Sequence, residues 1–570
     1  MTAKTGRVHR AMNVRMVLIG ALFITTAYLS LVRLDEPALW NDESHVALFA
    51  RNFSQTGHWT AWDGRNLAGA DRNGRYLDDR LRTVLPQLDF AIAAASFRLF
   101  GVSTWSARIL FALAGIGAVA LLHIWMKIEM PEGAALRLYA VAALGLSAQY
   151  LLYIRTCRYY SVAALLILVC LIGCSKFLQT KNWRWLAMLA VAAALLFYAS
   201  ALCCGAFLLA LAVRHFVFDR RKCSKRDWLL FCGCGAVFLL LILPYAFACI
   251  LPYTASSKMD FAGQGAEVPW IESRLTLLWW NIRELNATNA MPWMVAAGLG
   301  VLFLEARDKR SKKERLTLAG WASLAGVYVI GIALLSPQPI QLTQIADVRY
   351  ISPILPLFAA LAGSVLAAIH RKSAAFAGVV LAVLLTTTLL GAWPDGWTFR
   401  WLLPAFVEEI HTPFPTACGE IARYLREHAR KDDDVFILPE FFQNPVQFHA
   451  GDQILIRGLL NRNTHLSAAE IDRLDPTLFV DQVFPEWIIS CGMQPELNSV
   501  VNFFSRSHTR NGETTAFRYA IAAVLPVYWN ETQRPELPWH TFGPNRDFNK
   551  NSEAVYVLKR TETNPSLDGR

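Results

Sequence analysis

Runs of roughly twenty consecutive apolar residues recur from the N-terminus to residue 393 of this 570-residue chain, and a helix of about 20 residues is what crosses the hydrocarbon core of a bilayer. Only 17% of the residues are charged and 54% are hydrophobic, where an ordinary soluble domain carries roughly a quarter charged residues. The excess has to be buried in lipid, which excludes a soluble enzyme, a disordered chain and a disulfide scaffold. A net charge of +11 would point to nucleic acid in a soluble protein; in a membrane chain it bears on topology, and no nucleic-acid partner is expected. Seven of the 11 cysteines (Cys170, Cys174, Cys203, Cys204, Cys232, Cys234 and Cys249) lie within apolar runs. There they read as small hydrophobes and make no metal site.

The first run, Val14 to Val32, follows Lys4, Arg7, Arg10 and Arg15. It is too long for a signal-peptide core and lacks a small-residue cleavage site, so it is taken as a spanning helix with a cytoplasmic N-terminus. Ten more spans are expected, at 104–126, 137–154, 159–178, 184–200, 202–218, 228–251, 290–305, 316–336, 349–369 and 373–393. Alternating these crossings puts Arg220, Arg221, Lys222, Lys225 and Arg226 inside, with Arg307, Lys309, Arg310, Lys312, Lys313 and Arg315 on the same side. The connections near 201 and 337–347, which carry no Lys or Arg, fall outside, the asymmetry that the positive-inside rule requires. Counting Val84 to Phe100 as a crossing would invert both clusters. It also contains Asp89 and Arg98, so it reads as a re-entrant or interfacial helix packed on protein.

The expected fold is therefore an α-helical polytopic membrane protein of about eleven spans with juxtamembrane helices and a C-terminal soluble α/β domain. Residues 1–393 form the membrane domain, with a first outer loop over 33–103, and residues 394–570 form the outer domain. Short β-branched or aromatic runs at 435–438, 453–456, 487–490, 518–525 and 554–558 predict strands, and helical spacing appears over 420–428 and near 467–474. Cys418 and Cys491 are the tail's cysteines; a disulfide and two buried thiols both fit. Trp393, Trp397, Phe399 and Trp401 mark the exit from the membrane as an aromatic belt.

Ions in mid-span usually betray an ion-coupled transporter, and the spans 184–200, 228–251, 316–336 and 373–393 carry none there. Arg108, His123 and Arg214 sit near span ends and are expected to snorkel. Carboxylates and arginines gather instead in the outer loop, where aqueous chemistry meets a lipid-borne substrate. Gly115-Ile-Gly117 echoes a dinucleotide-binding pattern, yet no strand precedes it, so close helix packing is the better reading. There is no Walker loop, paired-histidine helix or zinc-spaced Cys/His set.

Four segments resemble, in order, the multi-spanning GT-C glycosyltransferases, the superfamily of protein O-mannosyltransferases and lipid A aminoarabinose transferases. They are Leu39-Trp40-Asn41-Asp42-Glu43-Ser44-His45-Val46-Ala47, Phe97 to Arg108, Cys157-Arg158-Tyr159-Tyr160-Ser161 and Asp347 to Pro356. The resemblance covers most of residues 1–393. It implies transfer of a sugar from a polyprenyl-phosphate donor to a lipid, glycan or protein acceptor on the periplasmic face, with inversion. Asp42 is implied as general base, with Glu43 beside it as a further catalytic residue. The implied setting is the inner membrane, with the C-terminal domain in the periplasm. No cofactor is implied with certainty and a divalent cation stays open. Arg158 and Arg349 suit a lipid phosphate, since a guanidinium binds its oxygens in pairs; Tyr159 and Tyr350 would flank it. Where relatives carry Lys-Pro-Pro this chain has Arg82-Thr83-Val84-Leu85-Pro86, which leaves Arg82 as the nearest substitute. The structural alternatives are a first-turn acidic pair on an interfacial helix for Asp42 and Glu43, interface anchoring for the arginines and belt positions for the tyrosines. A lipid-linked-sugar flippase or binding scaffold is the competing function, and a ligase using a lipid-linked oligosaccharide is another.

Overall fold

A computed structural model describes residues 2–68, 88–247, 269–287, 295–296, 298–300, 312–336, 348–390, 399–412, 414–460, 476–480, 483–491, 494–505, 507–510, 513–528, 534–537, 540, 542 and 552–563. The first part is helical: α1 (Thr2–Leu31), α2 (Asn41–Thr56), α3 (Leu88–Phe100), α4 (Thr104–Glu129), α5 (Ala134–Gly145), α6 (Ala148–Ile154) and α7 (Tyr160–Thr180). There follow α8 (Arg184–Ala199), α9 (Ala201–Arg214), α10 (Lys225–Tyr245), α11 (Trp270–Ala287), α12 (Lys312–Leu335), α13 (Leu355–Lys372) and α14 (Ala374–Thr386).

Among the described residues six helices are long and apolar enough to cross a membrane, and the pair α5 and α6, bent by 61°, can act as a further broken span. Every expected span coincides with a helix except 290–305, most of which lies outside the described residues. The expected run 137–154 is broken between Gly145 and Ala148, where Ser147 caps α6 by accepting from the Tyr150 N–H. The last expected span, 373–393, is helical only to Thr386; the chain then pairs Thr387 with Trp401 across a short bridge. Phe399 and Trp401 are exposed there, while Trp393 and Trp397 lie outside the described residues. Helix α11 was not expected from the sequence: it mixes Glu272, Arg274, Arg283 and Glu284 with exposed Trp270, Ile271, Leu275 and Trp279.

Small residues let the helices approach. A Cβ on Gly115 would lie 2.5 Å from Ile154, and one on Gly363 would lie 2.7 Å from the Leu136 carbonyl oxygen. The glycine pattern at 115–117 is thus a packing feature. Helix α3 packs on α2 and α4, which agrees with a helix lying on protein.

The C-terminal part contains α15 (Leu403–His411), α16 (Ala417–His428), β1 (Asp433–Leu438), α17 (Gln443–Ala450), β2 (Ile454–Ile456), β3 (Trp487–Cys491), α18 (Gln494–Phe504), β4 (Ser507–Arg510), β5 (Glu513–Tyr528) and β6 (Ser552–Thr563). The strands form a mixed sheet in the order β2-β1-β3-β6-β5-β4, with β1 parallel to β2 and β3 and the other pairs antiparallel. Parallel neighbours need a crossover, and α17 supplies it between β1 and β2. Ile421 and Leu425 of α16 and Val446 of α17 bury against Val435, Ile437 and Ile489. All five expected strands and the helix near 420–428 are present, whereas the helical pattern near 467–474 lies outside the described residues. Cys418 and Cys491 are both buried and are not joined in a disulfide.

This small mixed-sheet domain is fastened to the loop after α2. Buried Asn66 donates to the carbonyls of Gly451 (3.1 Å) and Ile454 (3.2 Å) and accepts from the Ile456 N–H (2.8 Å). Asn444 of α17 donates to Asn41 at 3.0 Å.

Candidate active site

Helix α2 starts immediately after Trp40, with Asp42 and Glu43 in its first turn, and ends at Gly57, whose φ of 76° is the left-handed cap that glycine adopts freely. Acids in a first turn offset the unpaired N–H groups there, so the helix start alone explains why carboxylates are tolerated. Their partners differ. The Glu43 side chain is 1% exposed and accepts from Arg108 Nε (2.9 Å), from a second Arg108 nitrogen (2.7 Å) and from the Cys157 N–H (2.7 Å). Arg108 also donates to the carbonyls of Leu34 and Pro37. The cavity beside this pair, lined by Arg155, Glu409 and His540 among others, has about 50 Å³, far below the roughly 300 Å³ or more that a small-molecule site requires. Glu43 is thus enclosed and fully engaged.

Asp42 faces a different set. One carboxylate oxygen lies 2.6 Å from Arg349 and 3.5 Å from Arg158, and the side chain keeps 25% exposure. Arg158 comes from the turn before α7 and Arg349 from a short helical turn, Val348–Tyr350, before α13. Both arginines therefore approach from N-terminal helix ends on one side of the bundle. Burial raises the Asp42 carboxyl, but Arg158, Arg349 and Arg534 outweigh it and hold the group below the usual carboxylate range. Burial likewise disfavours the charge on Arg158, and Asp42 outweighs that. In this state Asp42 is a firmly ionised counter-ion, an acceptor of guanidinium hydrogen bonds.

Around Arg158 several buried polar atoms lack a hydrogen-bond partner among the described residues: Arg158 Nε, the Tyr159 and Tyr160 hydroxyls and Ser161 Oγ. Buried donors are rarely left so. The Tyr159 ring stacks on Tyr350 at 6.5 Å and lies 5.8 Å from the Arg158 guanidinium carbon. Tyr159 is buried rather than spread along an aromatic belt. The Tyr350 carbonyl accepts from the Tyr328 hydroxyl at 2.9 Å.

The structure thus brings Asp42, Arg158, Tyr159, Arg349 and Tyr350 together and puts Glu43 in the layer behind them, while Arg82 lies outside the described residues. It corrects the placing of two arginines and adds two carboxylates, Asp89 and Glu536, to the surroundings of the site. Arg108 and Arg214 were expected to snorkel; both are buried in ion pairs, Arg108 with Glu43 and Arg214 with Glu129 at 2.9 Å. Buried Asp89 opens α3, and burial raises its carboxyl to about 6, with Arg158 and the Phe90 N–H opposing. An acid inside an otherwise apolar run was the available signal for it. Glu536, fully buried, reaches Arg349 Nε at 3.1 Å from the C-terminal domain. Among the described residues no group of three or more His, Cys, Asp and Glu side chains could hold a metal ion.

No protein-family model and no curated protein matches this chain. Its structure is similar to that of ArnT from Cupriavidus metallidurans bound to undecaprenyl phosphate, with 13% identity, 95% of this chain and 97% of the other covered and a TM-score of 0.48. It is also similar to the archaeal oligosaccharyltransferase AglB from Archaeoglobus fulgidus (12% identity, 83% and 69% covered, TM-score 0.44) and to the arabinofuranosyltransferase AftD from Mycobacteria (15% identity, 95% and 39% covered, TM-score 0.44).

Proposed function

We propose that the chain is an integral membrane glycosyltransferase that moves a sugar from a polyprenyl-phosphate carrier to an acceptor hydroxyl at the Asp42 site. The observation that carries this reading is the pairing of Asp42 with Arg158 and Arg349 beside unpartnered donors on Arg158, Tyr159, Tyr160 and Ser161. Such a set suits an incoming oxyanion. A donor phosphate that takes over the two guanidinium groups frees Asp42 from them, and its carboxyl then rises toward its ordinary range. Binding of the donor thereby converts a counter-ion into a proton acceptor.

The acceptor hydroxyl gives its proton to Asp42 while its oxygen attacks the anomeric carbon. The bond from that carbon to the phosphate oxygen breaks, and the polyprenyl phosphate leaves with its added negative charge held by Arg158 and Arg349. Attack opposite the leaving group inverts the anomeric configuration. Glu43 acts behind the reaction by fixing Arg108 and the turn at Cys157, one residue before Arg158.

The opposite ends of the same helices bear on the sidedness of this site. Arg220, Arg221, Lys222, Lys225 and Arg226 lie between α9 and α10, Lys312, Lys313 and Arg315 open α12, and Arg371 and Lys372 close α13. A basic end belongs in the cytoplasm, which supports a reading with Asp42 and the C-terminal domain on the outer face, the periplasmic face of a bacterial inner membrane.

Mass spectrometry of lipid retained by the purified protein tests the donor class: a polyprenyl-phosphate headgroup supports the reading. With that lipid as donor, Asp42→Asn is expected to bind it and to lose transfer by roughly 10²–10⁴-fold, the size of a general-base contribution. Wild-type transfer by folded Asp42→Asn would remove Asp42 as base, and carrier translocation without cleavage of the sugar bond would favour a flippase.

A further inference from the structure

The C-terminal domain sends one short segment into the cluster just described. Glu536, fully buried, faces Arg349 Nε at 3.1 Å, while Arg349 gives another nitrogen to Asp42 at 2.6 Å. Arg349 is therefore shared between a carboxylate of the first outer loop and one of the tail. Arg534 holds Glu536 from the other side through Nε and a terminal nitrogen, both at 3.2 Å.

The segment is tied down independently of these charges. Arg400 donates to the carbonyls of Leu537 (3.0 Å) and His540 (2.6 Å), and His540 faces Glu409 of α15 at 3.0 Å. Glu536 is thus delivered to Arg349 by backbone anchors that do not depend on the ion pair itself.

We propose that Glu536 is a positioning residue for Arg349, orienting the guanidinium through Nε and tempering its charge so that it binds a lipid phosphate and still releases it. This rests on the sugar-transfer reading above and deepens it by making the C-terminal domain part of the reaction centre. The charge logic is direct: a guanidinium neutralised on one edge attracts a phosphate less than a free one. The edge that faces Asp42 is shared in turn by Asp42, the donor phosphate and the departing polyprenyl phosphate.

Glu536→Gln isolates the effect, because the amide oxygen can still accept from Arg349 Nε while the negative charge is gone. With full-length protein in detergent and sugar-free undecaprenyl phosphate as probe, Glu536→Gln is expected to bind about 3- to 10-fold more tightly than wild type. In an Arg349→Gln background the same substitution is expected to change nothing, since its target is absent. Arg534→Gln, which leaves Glu536 to Arg349, is expected to weaken binding when Arg349 is present; it supplies the test if Glu536→Gln does not fold. Equal affinity in wild type and folded Glu536→Gln, or an equal change with and without Arg349, would overturn the inference and leave the sugar-transfer reading standing. Wild type that binds no undecaprenyl phosphate would remove both.

Discussion

Adjacent carboxylates at positions 42 and 43 meet different surroundings, and the difference sets what each can do. Glu43 and Arg108 form a buried pair with side-chain exposures of 1% and 5%. Removing one member of such a pair strands the other's charge, at about 3–5 kcal/mol. Glu43→Gln is therefore expected to lower the melting temperature of the purified protein substantially, as is Arg108→Gln. Asp42 keeps 25% exposure, and partly solvated pairs contribute only about 0–1 kcal/mol. Asp42→Asn should leave the melting temperature nearly unchanged, and a thermal scan of the three variants checks the contrast. A fall for Asp42→Asn equal to that for Glu43→Gln would mean that Asp42 is structural as well. Sequence alone made the acidic pair visible but could not divide its labour, because the partners Arg108, Cys157, Arg158 and Arg349 come from other helices. Glu536 was less legible still: nothing in Arg534-Pro535-Glu536-Leu537 distinguishes it from a loop acid until Arg349 is seen beside it.

At the scale of elements, close approach and anchoring can each be tested. Gly363 lies on α13, where alanine would ordinarily gain about 1 kcal/mol of helix propensity. A Cβ there meets the Leu136 carbonyl oxygen at 2.7 Å and the Ala140 nitrogen at 2.8 Å, and overpacking against backbone costs about 1–3 kcal/mol. Gly363→Ala is expected to destabilise. Gly233→Ala on α10, with nothing within 4 Å of its Cβ, should not, and equal melting temperatures for the two would contradict this packing.

His540 anchors the tail segment by facing Glu409 with one ring nitrogen and the Arg534 carbonyl with the other. Burial lowers its pKa, but Glu409 and that carbonyl outweigh burial and raise it above the ordinary value. A raised folded pKa gives stability that is complete below about 6.5, the unfolded value, and fades as pH rises through the folded one. The stability advantage of wild type over His540→Gln should accordingly narrow as melting temperature is followed from pH 6 upward; an advantage that widens would contradict the assignment.

Strands built on short β-branched or aromatic runs, such as β1 and β3, were readable from pattern alone. Helix α11 was not, since its charges dilute the apolar signal, and β4 was not, since Ser507-His508-Thr509-Arg510 carries no apolar alternation and gains its pairing from β5.

For the whole molecule, the decisive property is polarity along the membrane normal. Asp42, Arg158, Arg349 and the mixed-sheet domain share one end of the helices, while the basic residues at 220–226, 312–315 and 371–372 share the other. The charge bias is legible in the sequence because it is a property of loops and does not depend on packing. The proposed meeting of enzyme and donor at the outer rim rests on this polarity. Exposed His428 in the mixed-sheet domain and exposed Lys222 at the basic end report on the two sides. Labelling of His428→Cys and Lys222→Cys with a membrane-impermeant maleimide, each compared with the unsubstituted protein, measures their sidedness in intact cells. His428→Cys is expected to react without permeabilisation and Lys222→Cys only after it; the reverse pattern would place Asp42 and its arginines in the cytoplasm and overturn the outer-face donor site.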